Sequence, residues 1–111
     1  MPNAKMPWRE KAKSKLIKKK SFTAIEVDFP ALSYSIIKSI VKHCRRYRRQ
    51  IYFESGNDHY RWNAGSLEKM GWFFEHGGKR GRIAAKGLDK KAEDFVLELY
   101  DFFTLGQRRN W

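Results

Sequence analysis

The spacing of apolar residues changes period across Pro30. Before it, Ile25, Val27 and Phe29 alternate with Ala24, Glu26 and Asp28, the two-residue repeat of a half-buried strand. After it, Ile36, Ile37, Ile40, Val41 and Cys44 recur at helical spacing, with basic residues on the opposite face. A one-sided strand followed by a one-sided helix calls for helices packed on a sheet. Ser33 is placed to cap the helix by accepting the Ser35 or Ile36 amide. Leu32 before it can staple to Ile37, and the helix is predicted to run to about residue 48.

The remaining pattern continues that plan. Segments 50–55 and 59–63 read as two strands around Gly56, Asn57 and Asp58, residues that tolerate hairpin angles. A short helix is predicted over 66–75, with Leu67, Met70 and Phe74 inward and the Gly77-Gly78 pair at its end. A brief strand at 81–86 stops at Gly87. Leu88, Ala92, Phe95, Val96, Leu99 and Phe103 then mark a final amphipathic helix whose outer face carries Glu93, Asp94, Glu98 and Asp101, with Gly106 closing it. The expected class is α+β in the order βαββαβα, an open-faced sandwich with helices on one face of a four-stranded antiparallel sheet. Residues 1–20 read as a flexible basic arm, 21–105 as one domain and 106–111 as a tail. A chain of 111 residues suits a single core, and 41% hydrophobic with 15% aromatic residues argues against disorder despite 32% charged residues.

Charge is the second constraint. Residues 1–20 hold eight basic side chains against Glu10 alone, and so supply +7 of the formal +12. Residues 38–49 hold Lys38, Lys42, Arg45, Arg46, Arg48 and Arg49 with no acid, whereas 89–101 is acidic on balance. Anionic partners, either nucleic acid or an acidic protein surface, would be steered to the arm and the first helix. The candidate contacts are Lys18, Lys19, Lys20, Lys38, Lys42, Arg45, Arg46 and Arg49. Cys44 stands alone, so no internal disulfide can form, and no signal peptide or membrane-spanning apolar run is visible. These features predict a cytoplasmic protein. A membrane anchor at Trp8, Ala12, Leu16 and Ile17 has too few bulky apolar residues to hold.

Over residues 22–105 the element order and several local strings resemble the histidine-phosphocarrier (HPr) family of the bacterial sugar phosphotransferase system. Ser66-Leu67-Glu68-Lys69-Met70 resembles the family's serine-bearing short helix, and Gly78 and Gly87 fall where members turn into and out of the fourth strand. Lys90, Ala92 and the apolar series after them look like the family's last helix. The departure is at the site of chemistry. Family members carry a histidine inside a Gly-Leu-His-Thr-Arg-Pro-Ala-like run, where its ring nitrogen accepts phosphate. The matching segment here is Pro30-Ala31-Leu32-Ser33-Tyr34-Ser35-Ile36, with Ser33 in the histidine's place and Ser35 in the arginine's. The preceding loop is one residue shorter, so the pairing can shift by a position, and no shift recovers a histidine. Serine without a neighbouring base cannot serve as such a relay. The resemblance therefore implies a docking and regulatory module rather than a phosphocarrier. It also makes Ser66 a regulatory phosphorylation candidate, against the simpler role of helix cap.

No catalytic constellation emerges. The nucleophile-elbow, phosphate-loop and paired-carboxylate patterns are missing, and no cofactor is expected. His43, His59 and His76 are scattered, and His43 and Cys44, adjacent on a helix, face different sides, so no metal site is expected. The alternative function is nucleic-acid binding, DNA or RNA, through the arm and the basic helix. Tyr47, Tyr52, Tyr60, Trp62, Trp8 and Trp111 are then candidate stacking residues. Gly78-Lys79-Arg80-Gly81 has the form of a backbone-clamping loop, yet it precedes a strand and reads as a basic turn. Met70, Trp72, Phe73 and Phe74 cannot all be buried by one helix, which leaves part of that run as a candidate docking patch.

Overall fold

The computed structural model describes residues 6–56, 60–76 and 80–105. Its elements are α1 (Met6–Lys13), β1 (Ile17–Lys19), β2 (Phe22–Asp28), α2 (Tyr34–Arg45), β3 (Ile51–Ser55), β4 (Arg61–Asn63), α3 (Leu67–His76), β5 (Arg80–Lys86) and α4 (Lys90–Leu105). The strands form one antiparallel sheet in the order β1-β2-β5-β3-β4, with the helices packed on it. From β2 onward the elements follow the expected order. The sheet has five strands rather than four, because residues 17–19, read from sequence as part of an arm, pair with Phe22, Thr23 and Ala24 along the edge of β2. Lys20 and Ser21 join the two strands with φ of 51° and 71°. Two left-handed residues in a two-residue loop make a type I′ turn, whose twist matches that of the strands. Ala12 of α1 is buried, and α1 packs on α4.

Period-two alternation sets the two faces of the sheet. Ile25, Val27, Ile51, Phe53, Ile83 and Ala85 point to the helices and are buried. Beyond them lies an aromatic cluster in which Phe29 stacks on Phe53 at 5.1 Å and meets Phe73 and Phe103 edge-on at 4.9 and 5.3 Å. Gly81 permits both this packing and the pairing of β5 with β3, since a Cβ there would lie 3.0 Å from Cε2 of Phe29 and 2.0 Å from the Glu54 carbonyl oxygen. Gly87 ends β5 at φ +117°, a conformation L side chains rarely adopt, and its amide donates to the Ser21 carbonyl at 2.6 Å.

Two expectations for the last helix need correction. Leu88 is not part of its apolar stripe: it precedes the helix and is exposed. Asp101, expected outside, is buried, because α4 packs on β2 and β5 with one side and on α1 with another, so its buried face is wider than a single stripe. The turn expected at Asn57 and Asp58, the Gly77-Gly78 helix end, Lys79, His59 and the 106–111 tail lie outside the described residues.

Candidate docking surface

Ser33 closes the N-terminus of α2 as the sequence suggests. Its backbone is extended, and its hydroxyl accepts the Ile36 amide at 3.4 Å and lies 3.2 Å from the Ser35 hydroxyl. This serine is engaged in capping, with no histidine or carboxylate among its hydrogen-bond partners. Ser66 does the same for α3. Its hydroxyl accepts the Lys69 amide at 3.2 Å, and its carbonyl accepts from Met70 at 2.9 Å, the first bond of the helix. The α3 cap is joined to the far end of α2 through Arg45, whose Nε donates to the Gly65 carbonyl at 2.7 Å. That bond ties the C-terminal turn of α2 to the residue before the α3 cap.

Between the two helices lies an open groove lined by Leu32, Tyr34, Ile37, Leu67, Trp72 and Phe74, with Glu68 and Glu75 on the α3 side. Of the four apolar residues in the 70–74 run, Met70 and Phe73 are buried and Phe74 is half-buried. Trp72 is 53% exposed. Tyr34 at the start of α2 is 61% exposed, and the Lys38 ammonium lies 5.4 Å from its ring centre. Tyr34 was not visible as a site residue from spacing alone, since a single aromatic before an apolar stripe carries no period.

The basic residues of the sequence separate into distinct places. Lys38, Lys42 and Arg46 recur every four residues along the exposed side of α2, and among the described residues none of the three has an acidic partner. Arg49 is not part of that row. It forms a two-pronged pair with Asp89 at 2.9 and 3.1 Å, and its guanidinium holds the Asp89 carboxyl down at about 2. Asp89 in turn accepts the Ala92 amide at 3.3 Å and so caps α4. Lys18 points to the helix side, where its ammonium pairs with Glu93 and donates to the Leu88 carbonyl. Lys19 and Lys20 are exposed at the sheet edge.

His43 stacks on Phe95 at 5.0 Å, with Nε2 2.9 Å from a Glu98 oxygen. Cys44 is buried, and burial pushes its thiol far above the ordinary range. Among the described residues there is no cluster of three or more His, Cys, Asp or Glu able to hold a metal, and no helix long and apolar enough to cross a membrane. Of the candidate stacking rings, Tyr47 is buried against Phe95 at 4.5 Å, whereas Tyr52 lies on the sheet face away from the helices. Comparison with protein-family models, with curated proteins and with solved structures finds no match to this chain.

Proposed function

We propose that this protein is a cytoplasmic, non-catalytic docking module of HPr-like design, which binds a partner protein through α2 and the Ser66 end of α3 and does not relay phosphate. The observation that carries this reading is the groove between those helices. Exposed Tyr34 and Trp72 stand at its rims, with Lys38 over the Tyr34 ring and Lys42 and Arg46 continuing from it along the exposed side of α2, none of the three with an acidic partner among the described residues. Large aromatics around an apolar depression, flanked by charge, have the makeup of an interface centre with a steering rim. The partner this chemistry suits inserts an apolar side chain between Tyr34 and Trp72 and turns acidic residues toward α2. The βαββαβα order from β2 onward and the Ser66 motif support the HPr-like part of the reading. Ser33 in the histidine's position, itself used as a cap, supports the loss of phosphotransfer.

Copurification from the native cell after nuclease treatment tests the docking claim. One protein should be retained by the native chain and lost with Trp72→Glu or with the pair Lys42→Glu and Arg46→Glu. A partner held equally by all three proteins would refute the assignment to this surface. Incubation with phosphoenolpyruvate and the general phosphotransferase enzyme should add no acid-labile phosphate. Labelling of any histidine at the rate of a true carrier would refute the second half of the reading.

A further inference from the structure

We propose that the open face of the sheet is a separate site for single-stranded nucleic acid, with Phe22 and Tyr52 as its stacking rings. The register fixes which residues share this face. Lys19 of β1 lies opposite Phe22 of β2, Phe22 opposite Lys86 of β5, and Tyr52 and Ala24 both opposite Ala84. All of these side chains point away from the helices. The ring centres of Phe22 and Tyr52 are 5.9 Å apart at 45° to each other, and both are half-buried rather than absorbed into the core. Beside them Ala24 and Ala84 make a low floor of small side chains, part of a depression rimmed by Lys19, Lys20, Phe22 and Arg61 and by Glu54, which is paired with Arg61 and Arg82 at 2.8 and 3.4 Å.

Cations surround the rings. The Arg61 guanidinium lies 4.8 Å from the Phe22 ring centre and 5.1 Å from that of Tyr52, and the Lys86 ammonium lies 5.2 Å from Phe22. An exposed cation over a ring is a weaker interaction than a base stacked on it. An incoming base can therefore take the ring face as Lys86 moves onto the adjoining phosphate, whereas Arg61 is held beside the rings by Glu54, to which its Nε donates at 2.8 Å. The charge is also graded across the face. At the far end Arg80 is already spent on Asp28 and Glu26, at 2.9 and 3.6 Å. At the near end Lys19, Lys20 and Lys86 have no acidic partner among the described residues. Rings flanked by Lys19, Lys20 and Lys86, cations with no acidic partner among the described residues, are the two parts of a single-strand platform, and rings on a sheet surface reach bases only when those bases are unpaired.

Fluorescence anisotropy of the full chain with labelled twelve-residue oligo-dT and oligo-U tests the proposal, beginning at about 50 mM salt. Both strands should bind, and a duplex of equal length should compete less well than either. Tyr52→Leu keeps the apolar bulk but removes the ring, and should weaken binding about fivefold or more, whereas Tyr52→Phe should bind like the native chain. The pair Lys19→Glu and Lys86→Glu should lower the slope of log affinity against log salt by about 1.4, two single-strand phosphate contacts at about 0.7 each. Lys42→Glu with Arg46→Glu, on the helix side, should leave affinity within about twofold. Melting curves identify any variant that is not folded, and the Leu and Phe replacements at Tyr52 then decide the matter between them. No binding at about 50 mM salt, native affinity in Tyr52→Leu, or loss confined to the Lys42 and Arg46 variant would each overturn the proposal.

Discussion

Replacing Ser66 with alanine should destabilise the protein by about 1 kcal/mol, within the roughly 0.5 to 2 kcal/mol that loss of an N-cap brings. The structure isolates the effect. The backbone bonds of Ser66, its amide to the Asn63 carbonyl at 3.1 Å and its carbonyl to the Met70 amide at 2.9 Å, are untouched by the change. Only the hydroxyl that accepts the Lys69 amide at 3.2 Å is lost. Ser66 is only half-buried, so water can reach the freed amide, which keeps the loss near the middle of that range rather than at its top. For a domain of this size the melting temperature should fall by roughly 3 to 6 °C. Ser66→Asp should lose less than Ser66→Ala, because a carboxylate also accepts the amide and favours the positive end of the helix dipole. Glu68 in the same first turn trims that advantage without reversing it. Urea unfolding of the three proteins side by side measures both differences. An Asp variant less stable than the Ala variant, or an Ala variant indistinguishable from the native chain, would refute the capping argument. A serine kinase of the HPr type that leaves Ser66 unmodified would separately refute regulation through this residue.

Three further outcomes follow from local geometry. Ser21→Gly should stabilise the protein by about 0.5 to 1 kcal/mol, since glycine takes the observed φ of 71° without the Cβ penalty and gives back only part of the gain as chain entropy, and a lower melting temperature would refute this. Because Arg49 holds Asp89 at about 2, below the ordinary unfolded value of about 3.9, the pair contributes stability above that value and loses it as pH falls toward 2. The advantage of the native chain over Asp89→Asn should therefore shrink between about pH 4 and 2 in acid melts, and a gap that stays constant would contradict the pairing. The Cys44 thiol should resist a disulfide reagent at pH 8 in the folded protein and react once denaturant is added, so immediate labelling would show that it is not buried as described.

The switch of period at Pro30 was legible because β2 and α2 each bury one side only, and the cap at Ser33 followed from where the helical stripe begins. β1 was not legible. Ile17 is the one apolar residue among its three, and the Lys20-Ser21 turn that reverses the chain contains neither glycine nor asparagine, the usual sign of left-handed angles. Arg49 read as one more cation of a basic helix because Asp89, which claims it, lies forty residues further along the chain. Trp72 could be inferred to lie partly outside only as a matter of exclusion, from four bulky residues in a five-residue run. Phe22 is not legible as a surface ring, because a phenylalanine opening a strand has no preferred side until its neighbours fix the register.

Formal charge overstates what this surface offers to a partner, and the alternation of β1 shows how. Lys18 and Lys19 are neighbours in sequence, yet the strand sends the first to Glu93 on the helix side and the second to the open face beside Phe22. Arg45 and Arg46 divide in the same manner, one bonded to the Gly65 carbonyl and the other left in the exposed row of α2. Half of each pair is therefore part of the fold and half is available for binding. Deleting residues 1–20 would remove both halves of the Lys18-Lys19 pair at once, together with a strand and the buried Ala12, and would confuse lost attraction with lost structure. Single charge reversals at Lys19 and Arg46 separate the two faces cleanly, because neither side chain forms an ion pair among the described residues. The core between them keeps the helix-side groove and the sheet-side rings from sharing a contact, so each surface can be altered while the other serves as its control.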